Sequence, residues 1–309
     1  MKTLRLGPSD LIVSQLCYGC MRITGTWDKN KVDQVSKDRA IQMIETAFEV
    51  GYTFFDHADI YGDTTCESVF GLALKKHPAW RKEMVIATKC GIRFEDEPPG
   101  TPHRYDFSRE HILASAHASL SRLGIDTIDL FYLHRPDFLA DPEEISSAFQ
   151  ELHKSGKVRW FGVSNFRPDM LRMLQKHLPF PLICNQIEIH ALRLDPFTDG
   201  SLDQCLETGI APISWSPIAQ GRLGNNYDPG TNAHLRVLQQ TLDQAGQSYG
   251  LKRSEMAVAW LLTHPSKIVP IIGTTNLDRI RESVKSLEKV VDRDTWYRIL
   301  LAARGQKLP

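Results

Sequence analysis

Eight short apolar runs recur along the chain. Each is followed by a turn and then by a stretch whose apolar residues return every three or four positions. The runs are QLCYG (15–19), TFFDHA (53–58), MVIATK (84–89), IDLFYLH (128–134), VRWFGVSN (158–165), LICNQIEIH (182–190), APISWS (211–216) and KIVPIIG (267–273). Their hydrophobicity is nearly continuous rather than alternating, as for parallel strands covered on both faces. The segments between them predict helices. In DPEEISSAFQELHKSG, Asp141 suits the N-cap, Pro142 the first helical position and Glu144 the return arm of a capping box. Ile145, Ala148, Phe149 and Leu152 form its apolar stripe, and Gly156 suits a left-handed C-terminal position. Similar stripes run through 36–51 and 108–124, and 167–178, 199–209 and 276–288 add three more helices. WLLTHPS (260–266) reads as the end of an extra helix, and the last ~15 residues as a covering helix.

Eight strand–helix units without a linker or low-complexity break predict an α/β protein, a single (β/α)8 barrel over residues 1–309. The competing architecture, an open doubly wound sheet, usually shows G-x-G-x-x-G after an early strand, and the chain has none. Two connections are long, 93–107 after the third strand and 217–234 after the seventh. Long loops on that side of a barrel usually line a site.

Composition removes several alternatives. Lys plus Arg and Asp plus Glu are both 37, so no basic surplus points to nucleic acid. No apolar run approaches a membrane span, the N-terminus lacks a secretory h-region, and a cytoplasmic protein is expected. Cys17 and Cys20 form C-x-x-C, readable as a redox pair or as two small apolar residues at a strand end.

The strands end in ionisable groups. FFDHADIYG turns from two phenylalanines to Asp56, His57 and Asp59 and reaches Tyr61; VIATK ends at Lys89; IDLFYLH ends at His134. In a barrel these ends form one rim, where active sites lie. An ammonium at the mouth of a packed barrel needs a counter-charge, which Asp56 on the neighbouring strand can supply. A nearby Lys⁺ is expected to lower the pKa of Tyr61. Tyr61 would then exchange a proton with an alkoxide, and His134 would orient a carbonyl. Such a site suits carbonyl reduction and needs a separate hydride donor.

These residues, with GVSNF, NQIE, SWSP and IIGTTNLDRIRES in that order, resemble the aldo-keto reductases, and within them the YdhF-like bacterial oxidoreductases. The resemblance implies a (β/α)8 fold, NADPH as hydride donor, and a catalytic tetrad falling on Tyr61, Lys89, His134 and Asp56. It implies that Ser164, Asn165 and Gln186 bind the nicotinamide carboxamide and that Trp215 stacks on the ring. Ser216, Ala219, Gln220, Gly221 and Leu223 would wrap the pyrophosphate. Gly273, Thr274, Thr275, Asn276 and Arg279 would meet the adenosine 2′-phosphate, and Ser283 the adenine. Many members carry lysine where Gly273 stands, and an aromatic-rich substrate loop where this chain has RFEDEPPGTPHRYDF. Trp27 is a candidate substrate-lining residue. The expected partner is a small carbonyl compound, with no nucleic acid, membrane or metal, for a monomer or small homo-oligomer. Two other readings use the same residues: a nucleotide-sensing regulatory protein on this scaffold, and a metal-dependent hydrolase with His57, Asp59 and His134 as ligands.

Overall fold

The computed structural model describes residues 1–308. The eight apolar runs form eight parallel strands: β1 (Cys17–Gly19), β2 (Phe54–Asp56), β3 (Val85–Cys90), β4 (Ile128–Leu133), β5 (Val158–Ser164), β6 (Cys184–Glu188), β7 (Ala211–Trp215) and β8 (Val269–Ile272). Each pairs with the next, and β8 returns to β1 through Ile271 opposite Cys17, closing the barrel. Closure removes both sheet edges. The register places Asp56 opposite Gly19 and Ala87, Lys89 opposite Tyr132, and Gln186 opposite Ser164. The polar ends of β2, β3 and β6 therefore share the C-terminal rim.

Among the described residues ten α-helices surround the barrel: α1 (Gln34–Glu49), α2 (Thr65–Lys76), α3 (Arg109–Leu123), α4 (Pro142–Lys154), α5 (Pro168–His177), α6 (Ser201–Thr208), α7 (Ala233–Tyr249), α8 (Arg253–Leu262), α9 (Leu277–Ser283) and α10 (Arg293–Arg304). In α4 the predicted stripe is buried, and Asp141 caps the helix by accepting the Glu143 N–H at 2.9 Å. Glu144 does not close a capping box. Its carboxylate instead accepts the N–H of Arg109 at the start of α3, joining two neighbouring helices.

Two helices lie outside those read from the pattern. The N-cap of α2, Thr64, has φ 72° and makes no side-chain capping bond, and the helix carries Gly71 in its interior, so its local signals are weak. α7 has an ordinary signal: Asn232 accepts the Leu235 N–H, and Leu235, Leu238, Leu242 and Ala245 form a buried stripe. α8 and α10 lock through Trp260 and Trp296, each indole N–H donating to the other's carbonyl, at 3.1 and 3.0 Å. The long connection after β3 folds into a small hairpin, Ile92–Arg93 against Arg104–Tyr105.

The barrel interior is filled by Cys17, Phe54, Ala87, Leu130, Tyr132, Cys184, Ile213 and Val269. An N-terminal hairpin, Thr3–Arg5 against Ile12–Ser14, adds Leu6, Leu11 and Val13 to this cluster at the end opposite the polar rim. Gly162 of β5 lets its neighbours close over it: a Cβ there would lie 2.5 Å from the Cys184 sulfur and 3.1 Å from the Tyr132 ring. Gly162→Ala should therefore destabilise the protein by ~1–3 kcal/mol through overpacking. Chemical denaturation at constant m-value checks this, and an unchanged midpoint would show that the layer relaxes freely.

Candidate active site

The rim is organised by one buried cation. Lys89, the penultimate residue of β3, has 0% exposure. Its ammonium donates to Asp56 Oδ2 and Oδ1 at 2.7 and 2.8 Å, to the His57 carbonyl at 2.7 Å and to the Tyr61 hydroxyl at 3.1 Å. Asp56 also accepts from Gln186 Nε2 at 2.8 Å, so β2, β3 and β6 are tied at one point. An ammonium has only donors, so in its bond to Tyr61 the phenol oxygen accepts. The Tyr61 proton is left free for another partner. The His134 ring stands edge-on to Tyr61 with centroids 5.9 Å apart, and Trp27 approaches from the other loop at 6.4 Å.

The electrostatics correct one expectation. Burial pushes the Tyr61 phenol up to about 12, and Lys89 only partly opposes it. Tyr61 is thus a firmly protonated acid at rest. Burial pulls the Lys89 ammonium down, but Asp56 and then Tyr61 more than offset this, and its pKa rises. Burial, Lys89 and Arg135 together hold His134 well below the ordinary imidazole value, so its ring is neutral. Its Nδ1 is buried without a partner among the described residues.

A second group of side chains continues from this site. Asn165 donates to Ser164 Oγ at 2.8 Å and to the His134 carbonyl at 3.3 Å, and accepts from the Trp215 indole at 3.0 Å. Ser164 in turn donates to the Gln186 carbonyl. The loop after β7 holds Ser216, Ala219 and Gln220 at positive φ, with Gly221 at 96°. Such non-glycine conformations persist only where the surroundings enforce them. Here Ala219 and Leu223 are buried, and the Leu223 N–H bonds the Ile218 carbonyl.

The residue types, the closed barrel and the rim cluster coincide with one known pattern. The Aldo/keto reductase family model matches residues 15–301.

The chain belongs to the aldo/keto reductase family.

As a member of that family it is an oxidoreductase. It is 40% identical over 302 residues to the uncharacterized oxidoreductase YcsN of Bacillus subtilis, covering 97% of each chain. It is 40% identical to oxidoreductase YdhF of Escherichia coli, over 89% of this chain and 91% of that one. It is 39% identical to a 6-dehydroglucose reductase of Agrobacterium fabrum, over 98% of this chain and 99% of the relative. Among solved structures, it resembles the holo form of AKR11C1 from Bacillus halodurans, with TM-score 0.82 and 27% identity over 98% of this chain and 96% of that one.

Within this oxidoreductase the remaining expected residues fall in three places. Thr274, Thr275 and Asn276 precede α9, and Asn276 caps it by accepting the Arg279 N–H at 3.0 Å. The Arg279 side chain is exposed, and among the described residues it has no hydrogen-bond or ion-pair partner. Gly273 faces open space, with nothing within 4 Å of an added Cβ. The Ser283 hydroxyl is engaged within the protein. It donates to the Ile280 carbonyl and bonds the Tyr52 hydroxyl at 2.6 Å, fastening α9 to the barrel.

The Cys17 and Cys20 thiols are buried and pushed well up, first by burial, which disfavours the reactive thiolate. Among the described residues no three His, Cys, Asp or Glu side chains are grouped to hold a metal, so His57, Asp59 and His134 do not converge as ligands. The helices contain no segment long and apolar enough to cross a membrane, among the described residues.

Asp59, a metal-ligand candidate in the sequence, has a different place in the structure. It lies between Asp56 and Tyr61, its N–H bonds the Lys89 carbonyl at 3.0 Å, and its Oδ1 is buried without a partner among the described residues. Burial and then the Glu67 carboxylate push it from 3.8 up to about 8. Between those values the folded protein holds a proton that the unfolded chain has lost. This stabilisation is complete below the lower value and disappears as pH rises through the upper one. Asp59→Asn is neutral throughout. From about pH 5 to about pH 9 the wild-type unfolding midpoint should fall by several °C relative to this variant. Parallel midpoint curves would show that Asp59 is ionised in the folded protein across the range.

Proposed function

We propose that the protein reduces aldehyde or ketone carbonyls to alcohols, with NADPH as hydride donor and Tyr61 as general acid. The observation that carries the reading is the Lys89–Tyr61 bond, in which the phenol accepts and keeps its own proton available beside neutral His134. As a carbonyl oxygen gains negative charge it becomes far more basic than a phenolate, and Tyr61 gives up its proton. Lys89 stabilises the phenolate left behind, and Asp56 keeps the ammonium in place. Neutral His134 donates a hydrogen bond from Nε2 and orients the carbonyl. Trp27, edge-on to Tyr61, forms a wall for the substrate. The 6-dehydroglucose reductase relative makes that compound a natural first substrate to try.

The side chains suit a nicotinamide nucleotide. The Gln186 amide nitrogen is held by Asp56, which leaves its carbonyl oxygen as an acceptor for a carboxamide beside Asn165 and Ser164. The cofactor supplies the hydride. Trp215 offers an aromatic face, and the strained loop from Ser216 to Leu223 offers backbone donors near a pyrophosphate. Arg279, without a side-chain partner, supports selection of a 2′-phosphate together with Thr274 and Thr275. Asn276 already satisfies one N–H at that helix start, so the guanidinium carries most of the recognition. A sensor that binds the nucleotide without turnover would need none of the proton machinery around Tyr61.

Tyr61→Phe should lower carbonyl reduction by ~10²–10⁴-fold while leaving nucleotide affinity nearly unchanged. Near-normal steady-state turnover by this variant would remove Tyr61 from the mechanism. Arg279→Ala should weaken NADPH binding by roughly 10- to 150-fold, in the upper half of that range, with little effect on NADH. Gly273→Lys should strengthen NADPH selectively, since its side chain enters open space. Dissociation constants for both nucleotides at fixed ionic strength check these two changes, and equal effects on NADPH and NADH would overturn the 2′-phosphate assignment.

A further inference from the structure

The residue after His134 is Arg135, and its guanidinium lies over the Trp215 ring, 5.6 Å from the centroid. Arg135 is half-buried, yet among the described residues it makes no hydrogen bond or ion pair. Asp137, the acid nearest in sequence, is engaged elsewhere: it accepts the N–H groups of Phe107 and Leu139, both at 2.9 Å.

A charge count isolates this residue. Lys89 is balanced by Asp56 at 2.7 Å. Tyr61 and His134 are neutral, and Asn165, Gln186, Trp215 and Trp27 carry no charge. Glu188, opposite Trp215 in the β6–β7 register, contacts His190 Nε2 at 3.2 Å and, among the described residues, forms no ion pair with Arg135. Arg135 is therefore a charge without a direct counter-charge here, and it lies against the indole that offers the nicotinamide its stacking surface. The guanidinium covers a face of that indole. A planar ring placed on the same face would push it aside only as far as its side chain reaches, and a ring on the opposite face would share the indole with it. In both arrangements a full positive charge stays beside the nicotinamide.

We infer that Arg135 sets a preference for the reduced over the oxidised nicotinamide nucleotide, favouring carbonyl reduction over alcohol oxidation. The inference rests on the nucleotide reading above, with Trp215 as the stacking partner. The dihydronicotinamide ring is uncharged, whereas the oxidised ring is a cation, so Arg135 repels only the oxidised form. The two nucleotides carry the same phosphates, so the ratio of their affinities isolates the ring charge from all other electrostatics. A half-buried, partly screened pair of unit charges should change that ratio by about three- to tenfold.

The test compares NADPH and NADP⁺ dissociation constants, by quenching of protein fluorescence, for the wild type, Arg135→Gln and Arg135→Lys at one ionic strength. Arg135→Gln should bind NADP⁺ about three- to tenfold more tightly while NADPH affinity changes less than about twofold. Arg135→Lys, which keeps the charge, should retain the wild-type ratio. If Arg135 only packs on Trp215, both nucleotides weaken together in the Gln variant, and that parallel loss would overturn the inference. So would an unchanged ratio, or equal ratios in the Gln and Lys variants. A wild type that bound neither nucleotide would overturn the underlying cofactor reading, and this inference with it, whereas good binding with an unshifted ratio would overturn this inference alone.

Discussion

Much of this molecule follows from the need to bury an ammonium at the mouth of a barrel. Lys89 is wholly removed from water, and a bare charge there would cost several kcal/mol. Its solvation is replaced by both oxygens of Asp56, the His57 carbonyl and the Tyr61 hydroxyl. These groups come from β2 and the loop that follows it, and Gln186 extends the network to β6. The requirement thereby fixes three strands and a loop at one level. The site is stable as well as reactive because the interactions that solvate the cation also position the acid.

The same arrangement separates the roles of the ionisable groups by environment. Tyr61 is buried enough to remain protonated despite Lys89, and His134 is buried enough to remain neutral beside two cations. Asp59, one turn of chain away, shows what happens to a carboxyl in this region without a cation of its own: its pKa rises to about 8. Asp56 holds the Lys89 ammonium in direct contact at 2.7 Å. Family membership fits this division of labour, and the rim of this chain adds to it an unpaired guanidinium at Arg135.

Legibility in the sequence followed the strength of local signals. The eight strands were visible because parallel strands buried on both faces are apolar throughout. α4 was visible because Asp141, Pro142, the stripe and Gly156 all agree. α2 was not, because its N-cap residue has positive φ and makes no side-chain capping bond, and the helix contains an internal glycine. It is held as a helix by packing: Cys66, Val69, Phe70, Ala73 and Leu74 are all buried against the barrel. Glu144 had the spacing of a capping box, but a partner on the preceding helix took its carboxylate. Ser283 matched an adenine-contact position in sequence, while Tyr52, 231 residues away in the chain, claimed its hydroxyl.

The sequence alone determined the alternation of strand and helix, the barrel that this alternation builds, and the identity of the rim residues Asp56, Tyr61, Lys89 and His134. Periodicity and strand-end position are local properties, so the chain itself carries them. Only the tertiary structure decided the balance between Lys89 and burial at Tyr61, and that balance reverses the direction expected from proximity alone. Only it left Arg135 without a counter-charge over Trp215, 80 positions further along the chain, and only it left Arg279 free while engaging Ser283. Desolvation depends on every atom packed around a group, and hydrogen-bond partners are chosen by closeness in space. Neither quantity exists until the barrel has closed.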